Sequence, residues 1–473
     1  MIAKFQLSNP ISSAMKLALV ALAAALCFLV SENTFATQSD THEYRLKNGL
    51  RLIVRQDHRA PTVVHMVWYR AGSMDEVNGK TGVAHVLEHM MFKGTKKVKS
   101  GEFSRMVAAV GGRENAFTAR DFTGYFQQIE KSKLEEVMRL EADRMANVQF
   151  SDEEFGRELQ VVMEERRLRT EDNPTSLMRE LLMATAFISS PYRHPIIGWM
   201  SDLQNMKPAD ARQWYRDWYA PNNAVVVVAG DVNPLAVKAL VEKYYGPIQA
   251  KKLPERKPQV EPEQKGEKRA VLKAPAESPQ IMMAWKVPKL DPKKMDEVDP
   301  YALLVLSAVL SGHDNSRLNR ELVRNQRLAN SAGASYELTS RGPELFEIGA
   351  TAAKGQTVQN LEKGILQTLQ DIANQGVTEA ELKRIKAQLL ASQIYKRDSI
   401  FAQAMEIGSS EMAGVSWRDL DRMIERIQLI QSNQIQQAIK TYFINDGLTI
   451  VTLDPQPRSM LAKPRGMSGS LRH

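Results

Sequence analysis

Residues 251–269 carry no apolar periodicity. The run KKLPERKPQVEPEQKGEK is built from Lys, Glu, Gln and Pro, forms no packed element, and reads as an exposed linker, a solvated hinge. A stretch of that kind constrains the fold, because strands and long helices recur at similar scale on both sides of it. At 473 residues the chain is also too long for one ordinary domain. The expectation is α+β: a domain over 37–250 and a second over 270–473, each a mostly antiparallel sheet packed with long helices, the pair being a diverged duplication.

The segment before residue 37 is set aside. Lys4 and Lys16 precede an apolar run, Leu17 to Val30, and Phe35-Ala36 offers a small residue before a cut. A positive flank with a short apolar core matches a secretory signal peptide, 1–36. The run is shorter than the about 20 residues a membrane-spanning helix needs, so no stable span is expected after cleavage. Export to the periplasm is expected, with full secretion the other option. Cleavage would remove Cys27, the single cysteine, so stiffness must come from core packing or a bound metal. The net charge of +8 is mild and dispersed, which argues against nucleic acid as a partner.

Inside the first half, Tyr44–Leu46 and Leu50–Val54 flank Asn48-Gly49, a hairpin signal. Val63–Tyr69 reads as a strand, a helix starts near Gly82, and Ala224–Ala229 is a buried central strand. Ser151 with Glu154 is a capping box opening a helix to about Thr170. In the second half, strands are expected at Gln280–Val287, Leu345–Ala350 and Leu448–Leu453, with helices at Pro300–Leu310 and after Thr378, capped with Glu381.

The chemistry lies in Gly82–Thr95, GVAHVLEHMMFKGT. On a helix His85 and His89 share a face, so both imidazoles reach one metal ion. Glu88 stands beside that ion. This is the inverted zinc-protease pattern H-x-x-E-H, whose glutamate is placed to deprotonate a zinc-bound water. Two surface histidines on an ordinary helix are the bland reading, yet chance yields the pattern on the order of once in a hundred such chains. A third ligand must come from elsewhere. Glu158 and Glu165 form one stripe of the helix after Ser151, with Glu164 turned about 100° away. One of the pair could ligate while the other holds a histidine. His58 and His65 read as surface or core histidines.

These residues resemble the pitrilysin/insulin-degrading-enzyme family of inverted zinc peptidases, near its short two-domain members and the mitochondrial processing peptidase. The likeness runs through Phe92–Thr95, Asn115-Ala116-Phe117-Thr118 with Tyr125, Glu158 to Glu165 followed by Asp172-Asn173-Pro174, His194–Trp199 and Trp218–Asn223. It implies one zinc ion (Zn2+) per chain held by His85, His89 and Glu165, Glu88 as general base, and Glu158 supporting the site from behind. Asn115 and Ala116 would lie on an edge strand that pairs with an extended peptide. Two homologous halves would close like a clamshell over peptides or unfolded segments. The family's second half usually offers an arginine and, seven residues on, a tyrosine that polarise the scissile carbonyl. Arg324 is present, but Ser331 stands in the tyrosine's place and Tyr336 lies five residues further along. The expectation is therefore a zinc-dependent endopeptidase that pairs as a homo- or heterodimer with a related zinc-free chain. The alternative is a non-catalytic peptide-binding or scaffold relative.

Overall fold

The computed structural model describes residues 40–457; the expected signal peptide, 1–36, with Cys27, and the residues beyond 457 lie outside them. The first half folds around a six-stranded sheet. Its strands are β1 (Thr41–Arg45), β2 (Arg51–Gln56), β3 (Thr62–Tyr69), β4 (Arg113–Thr118), β5 (Thr123–Glu130) and β6 (Ala224–Gly230), in the order β1-β2-β6-β3-β5-β4. The second half has a five-stranded sheet made of β7 (Lys268–Pro275), β8 (Gln280–Val287), β9 (Ala329–Ser335), β10 (Glu344–Ala352) and β11 (Leu448–Gln456), in the order β7-β11-β8-β10-β9. The two patterns coincide. β2 and β6 run parallel as β7 and β11 do, and the next three pairings in each sheet are antiparallel. The molecule is thus an α+β protein of two like halves.

The expected elements are present with small shifts. The Asn48-Gly49 turn closes through Leu46 N–H to the Leu50 carbonyl, 2.9 Å. β6 is buried along its whole length, as six successive β-branched or small residues require. Thr378 caps its helix through the Glu381 amide, but the Glu381 carboxylate is held by Arg317 in a bidentate pair at 2.8 and 2.6 Å. That stronger charge-assisted partner takes it from the cap.

Four helices position the site and join the halves: α1 (Val83–Met90), α2 (Asp152–Arg166), α3 (Pro174–Ala186) and α4 (Ile400–Ala413). α3 belongs to the first half in sequence, yet Met178, Leu182, Met183 and Ala186 pack on Ala284, Val451 and Leu453 of the second sheet. α4 makes the reverse exchange. Its Ala404, Ile407 and Met412 cover Ile53, Val64, Met66 and Trp68 of the first sheet. Gly408 is required there, because a Cβ would meet the Trp68 ring at 2.0 Å.

The linker departs from the solvated hinge expected of it. Its last two residues, 268 and 269, already belong to β7. Glu261 accepts the amides of Ile188, Ser189 and Ser190 and pairs with Lys286 at 2.7 Å, while Arg256 pairs with Asp75 at 2.8 Å. A composition that cannot pack its own core is here a strap pinned by charged side chains.

Candidate metal centre

α1 is short, so its tertiary setting must supply what propensity does not. Val83, Ala84, Val86, Leu87 and Met90 are buried. Its N-terminus is capped by a residue the sequence reading overlooked: Glu76 accepts the Gly82 and Ala84 amides, each at 2.8 Å. Burial pushes this carboxyl up to about 8, against the two backbone donors that favour its charge. Gly82 has φ +86° and touches Gly198, itself at φ +89°; a Cβ on Gly82 would lie 2.5 Å from the Ile197 carbonyl, and one on Gly198 2.4 Å from that of Thr81. This crossing of two glycines brings 194–199 against the start of α1.

On α1, His85 and His89 face α2. The Nε2 atoms of His85 and His89 lie 3.8 and 3.5 Å from one carboxylate oxygen, Oε2 of Glu165. One ligand atom from each of the three falls within 4.8 Å of the others. Donors at 2.0–2.2 Å around a tetrahedral ion stand about 3.3–3.5 Å apart, so two imidazoles and a carboxylate at this spacing fit zinc with one position left open. Arg169 holds the other Glu165 oxygen at 2.5 Å. Burial raises the Glu165 carboxyl, but His89, His85 and Arg169 outweigh it and hold it at about 2.

Glu158 sits behind His89. Its Oε1 is 3.0 Å from His89 Nδ1, and its other oxygen pairs with Lys93 at 2.6 Å. Burial opposes its charge; His89 and Lys93 keep it ionised, at about 2. Burial likewise disfavours charge on His89, but Glu158 and Glu165 lift it to about 9. A field that keeps a proton on an imidazole attracts a cation for the same reason. Glu165 faces both Nε2 atoms, and Glu158 faces the single Nδ1 of His89. Glu164 pairs with Arg167 on the outside.

Glu88 projects from the same turn of α1 into a pocket of about 440 Å³ that His85, Glu165, Ala116 and His194 also line. Burial raises its carboxyl, and Thr118 of β4 donates to its Oε2 at 2.5 Å. β4 is the edge of the first sheet, so Asn115 and Ala116 lie where an added strand would pair; the Asn115 side chain accepts the Ala116 amide at 2.9 Å. Arg324 is not among the residues lining this pocket. It stands in the second half and donates to Asn315 at 3.0 Å. Ser331 is paired within β9, and the buried Tyr336 donates its hydroxyl to the Pro288 carbonyl at 2.7 Å. His58 is exposed beside Asp231, and His65 is buried between Gln127 and Tyr245. Neither lies near the cluster.

Residues 51–198 match the family described as Insulinase (Peptidase family M16), and 205–389 match Peptidase M16 inactive domain. The chain is 34% identical over 376 residues to the zinc protease PqqE of Helicobacter pylori, spanning 78% of this chain and 81% of that one. It is 24% identical over 445 residues to a probable mitochondrial-processing peptidase subunit beta of Arabidopsis thaliana, covering 90% and 81%. Among solved structures, a protease from Helicobacter pylori superposes with a TM-score of 0.83 at 30% identity, over 88% of this chain and 99% of that one. The first half of the periplasmic protease PqqL from Escherichia coli shares the fold, with a TM-score of 0.73 at 20% identity over 88% and 92%.

Proposed function

The chain belongs to the insulinase family of peptidases, family M16, and on that footing we propose that it is a zinc-dependent endopeptidase hydrolysing peptides or unfolded polypeptide segments. The convergence of His85, His89 and Glu165 on one point, with Glu88 on the same helical turn and facing a pocket, carries this reading. The three ligands would hold one zinc ion. Zinc bound there supplies Lewis-acid chemistry, acidifying water toward neutrality and polarising a carbonyl.

Glu88 does the proton work. Thr118 occupies its Oε2, leaving Oε1 to take a proton from the attacking water and return it to the leaving amine. Its burial raises its proton affinity, which suits a group that must both accept and release. Glu158 fixes the His89 ring by holding Nδ1, and Arg169 orients Glu165. Asn115 and Ala116 on β4 present backbone to an extended substrate once the Asn115 side chain releases the Ala116 amide. The domains run over 37–250 and 270–473 with a strap between them. The chain is exported behind 1–36. Among the described residues no helix is long and apolar enough to cross a membrane.

The test is cleavage of a quenched fluorescent peptide library by Thr37–His473, with and without a zinc chelator, beside Glu88→Gln. Chelator-sensitive turnover, lowered roughly 10²–10⁴-fold in Glu88→Gln with zinc content unchanged, is the expected result. A zinc-loaded wild type that binds peptide but never cleaves it favours the scaffold reading. A related zinc-free partner chain supplies the carbonyl-polarising group that Ser331 cannot; full turnover by the isolated monomer overturns that part.

A further inference from the structure

Arg120 stands where two cavities meet. It lines the pocket around His85 and also a second cavity of about 350 Å³ between the two halves; Arg179, Met183 and Ile196 form the rest of the shared wall. The residue lies two positions beyond the end of β4, the edge along which a substrate strand would run.

The neighbouring arginines are all committed. Arg179 forms a bidentate pair with Glu347 at 2.8 and 3.1 Å, Arg169 holds Glu165, and Arg193 donates to the Ile188 carbonyl and to His194. Arg120 is different. Among the described residues it forms no salt bridge, its buried Nε has no hydrogen-bond partner, and Glu344 reaches it only through the longer-range field. Its guanidinium rests over the Tyr192 ring, 5.4 Å from the centroid. Tyr192 in turn donates to Asp121 at 2.5 Å and accepts the Gly342 amide at 3.0 Å, so the platform under Arg120 is fixed. The adjacent Asp121 is turned away, taking Tyr192 and the Arg341 amide. Glu344, on the wall of the second cavity, accepts its own Leu345 amide.

A half-buried guanidinium on a rigid aromatic platform, with no carboxylate in contact and Glu344 acting on it only across the cavity, is a fork waiting for a carboxylate. We propose that Arg120 is a specificity residue that binds a carboxylate of the peptide substrate. The chemistry is shared by an acidic side chain and by a C-terminal carboxylate, and the test separates the two. The inference rests on peptide being the ligand of this pocket, as proposed above.

The experiment uses matched peptides carrying Asp or Glu against Asn or Gln at each position in turn, and a free C-terminal acid against its amide. Two readouts are taken: kcat/KM with wild-type protein, and affinity by fluorescence anisotropy with zinc-loaded Glu88→Gln, which reports binding even where nothing is cleaved. One acidic peptide should be preferred by about ten-fold or more, the scale of a charge-assisted bidentate contact. Arg120→Gln should erase that preference while neutral peptides bind as before, and Arg120→Lys should restore part of it. A preference following side-chain position assigns an internal acidic residue; one following acid against amide assigns the chain end. Equal binding of acidic and neutral peptides by wild type overturns the proposal, as does an Arg120→Gln loss common to both, or no binding at all. Binding selectivity without cleavage would instead strike the hydrolytic reading and leave this one standing. Glu344→Gln is the control: a preference surviving it excludes an exchange of partners across the cavity.

Discussion

The two halves build the same strand–helix–helix–strand segment and fill it differently. Between β3 and β4 the first half places α1 and then Glu102–Ala109; between β8 and β9 the second places Val298–Leu310 and then Asn319–Asn325. α1 gives two positions of one face to imidazoles and one to a carboxylate. Its counterpart, Val298–Leu310, buries Tyr301, Leu303, Val305, Leu306, Val309 and Leu310, with no histidine or carboxylate among them; the Tyr301 hydroxyl is spent on the Met295 carbonyl. A ligand cluster replaces apolar contacts, so the first half gives up some packing that a bound ion can return, whereas the second is complete without one. One copy of the fold carries the cluster of His85, His89 and Glu165, and the other fills the same place with apolar packing.

His89→Ala strikes the contrast hardest. Zinc content should fall from one per chain to none, hydrolysis should vanish, and the gain in Tm on adding zinc should disappear; metal analysis and calorimetry read all three. Leu87→Ala against Leu306→Ala comes next, both side chains being fully buried. Each should cost about 2–5 kcal/mol by denaturant unfolding. Only Leu87→Ala should also weaken zinc binding, and equal zinc affinity in the two variants would erase the distinction between the halves.

A third prediction uses the caps. α1 depends on Glu76, while Val298–Leu310 starts without a side-chain cap from Glu297. The folded value of about 8 lies above an ordinary 4.5. Folding therefore takes up a proton in that window. The contribution is full below 4.5, declines as pH rises, and is gone above about 8. Stability at pH 5.5 should exceed that at pH 8.5 by on the order of a few kcal/mol, and Glu76→Gln should flatten the difference. The smallest effect belongs to Glu158→Gln, which should lower zinc affinity about 10–100-fold while leaving the Glu165 contacts in place. An unchanged affinity would mean that the Nδ1 contact of His89 does nothing for the metal.

The centre was legible where chemistry and chain coincide. His85, Glu88 and His89 lie within two turns of one helix, so spacing alone fixes their geometry. Glu158 and Glu165 share a stripe, and periodicity could not tell which meets the histidines, because that depends on how α2 sits against α1. β4 escaped a reading by pattern, since Arg-Glu-Asn-Ala-Phe-Thr has no apolar alternation and an edge strand with one open side does not need it. Glu76 gave no signal, being one acid in a loop six residues before its partner amide. The tail of α2 continues as a π-helical turn over Arg167–Glu171, which brings Arg169 back over Glu165; the capping box foretold the helix but not its widened end. The sequence reading placed no element at α3 or α4, because an apolar helical face does not say which sheet it covers.

That last point governs how the molecule can be made. Until Ile400–Ala413 has been synthesised, the sheet face carrying Val64, Met66 and Trp68 lacks its helical cover, although the opposite face packs from residues of the first half alone. Sealing that face joins residues far apart in sequence, which makes it slower than the packing within the first half.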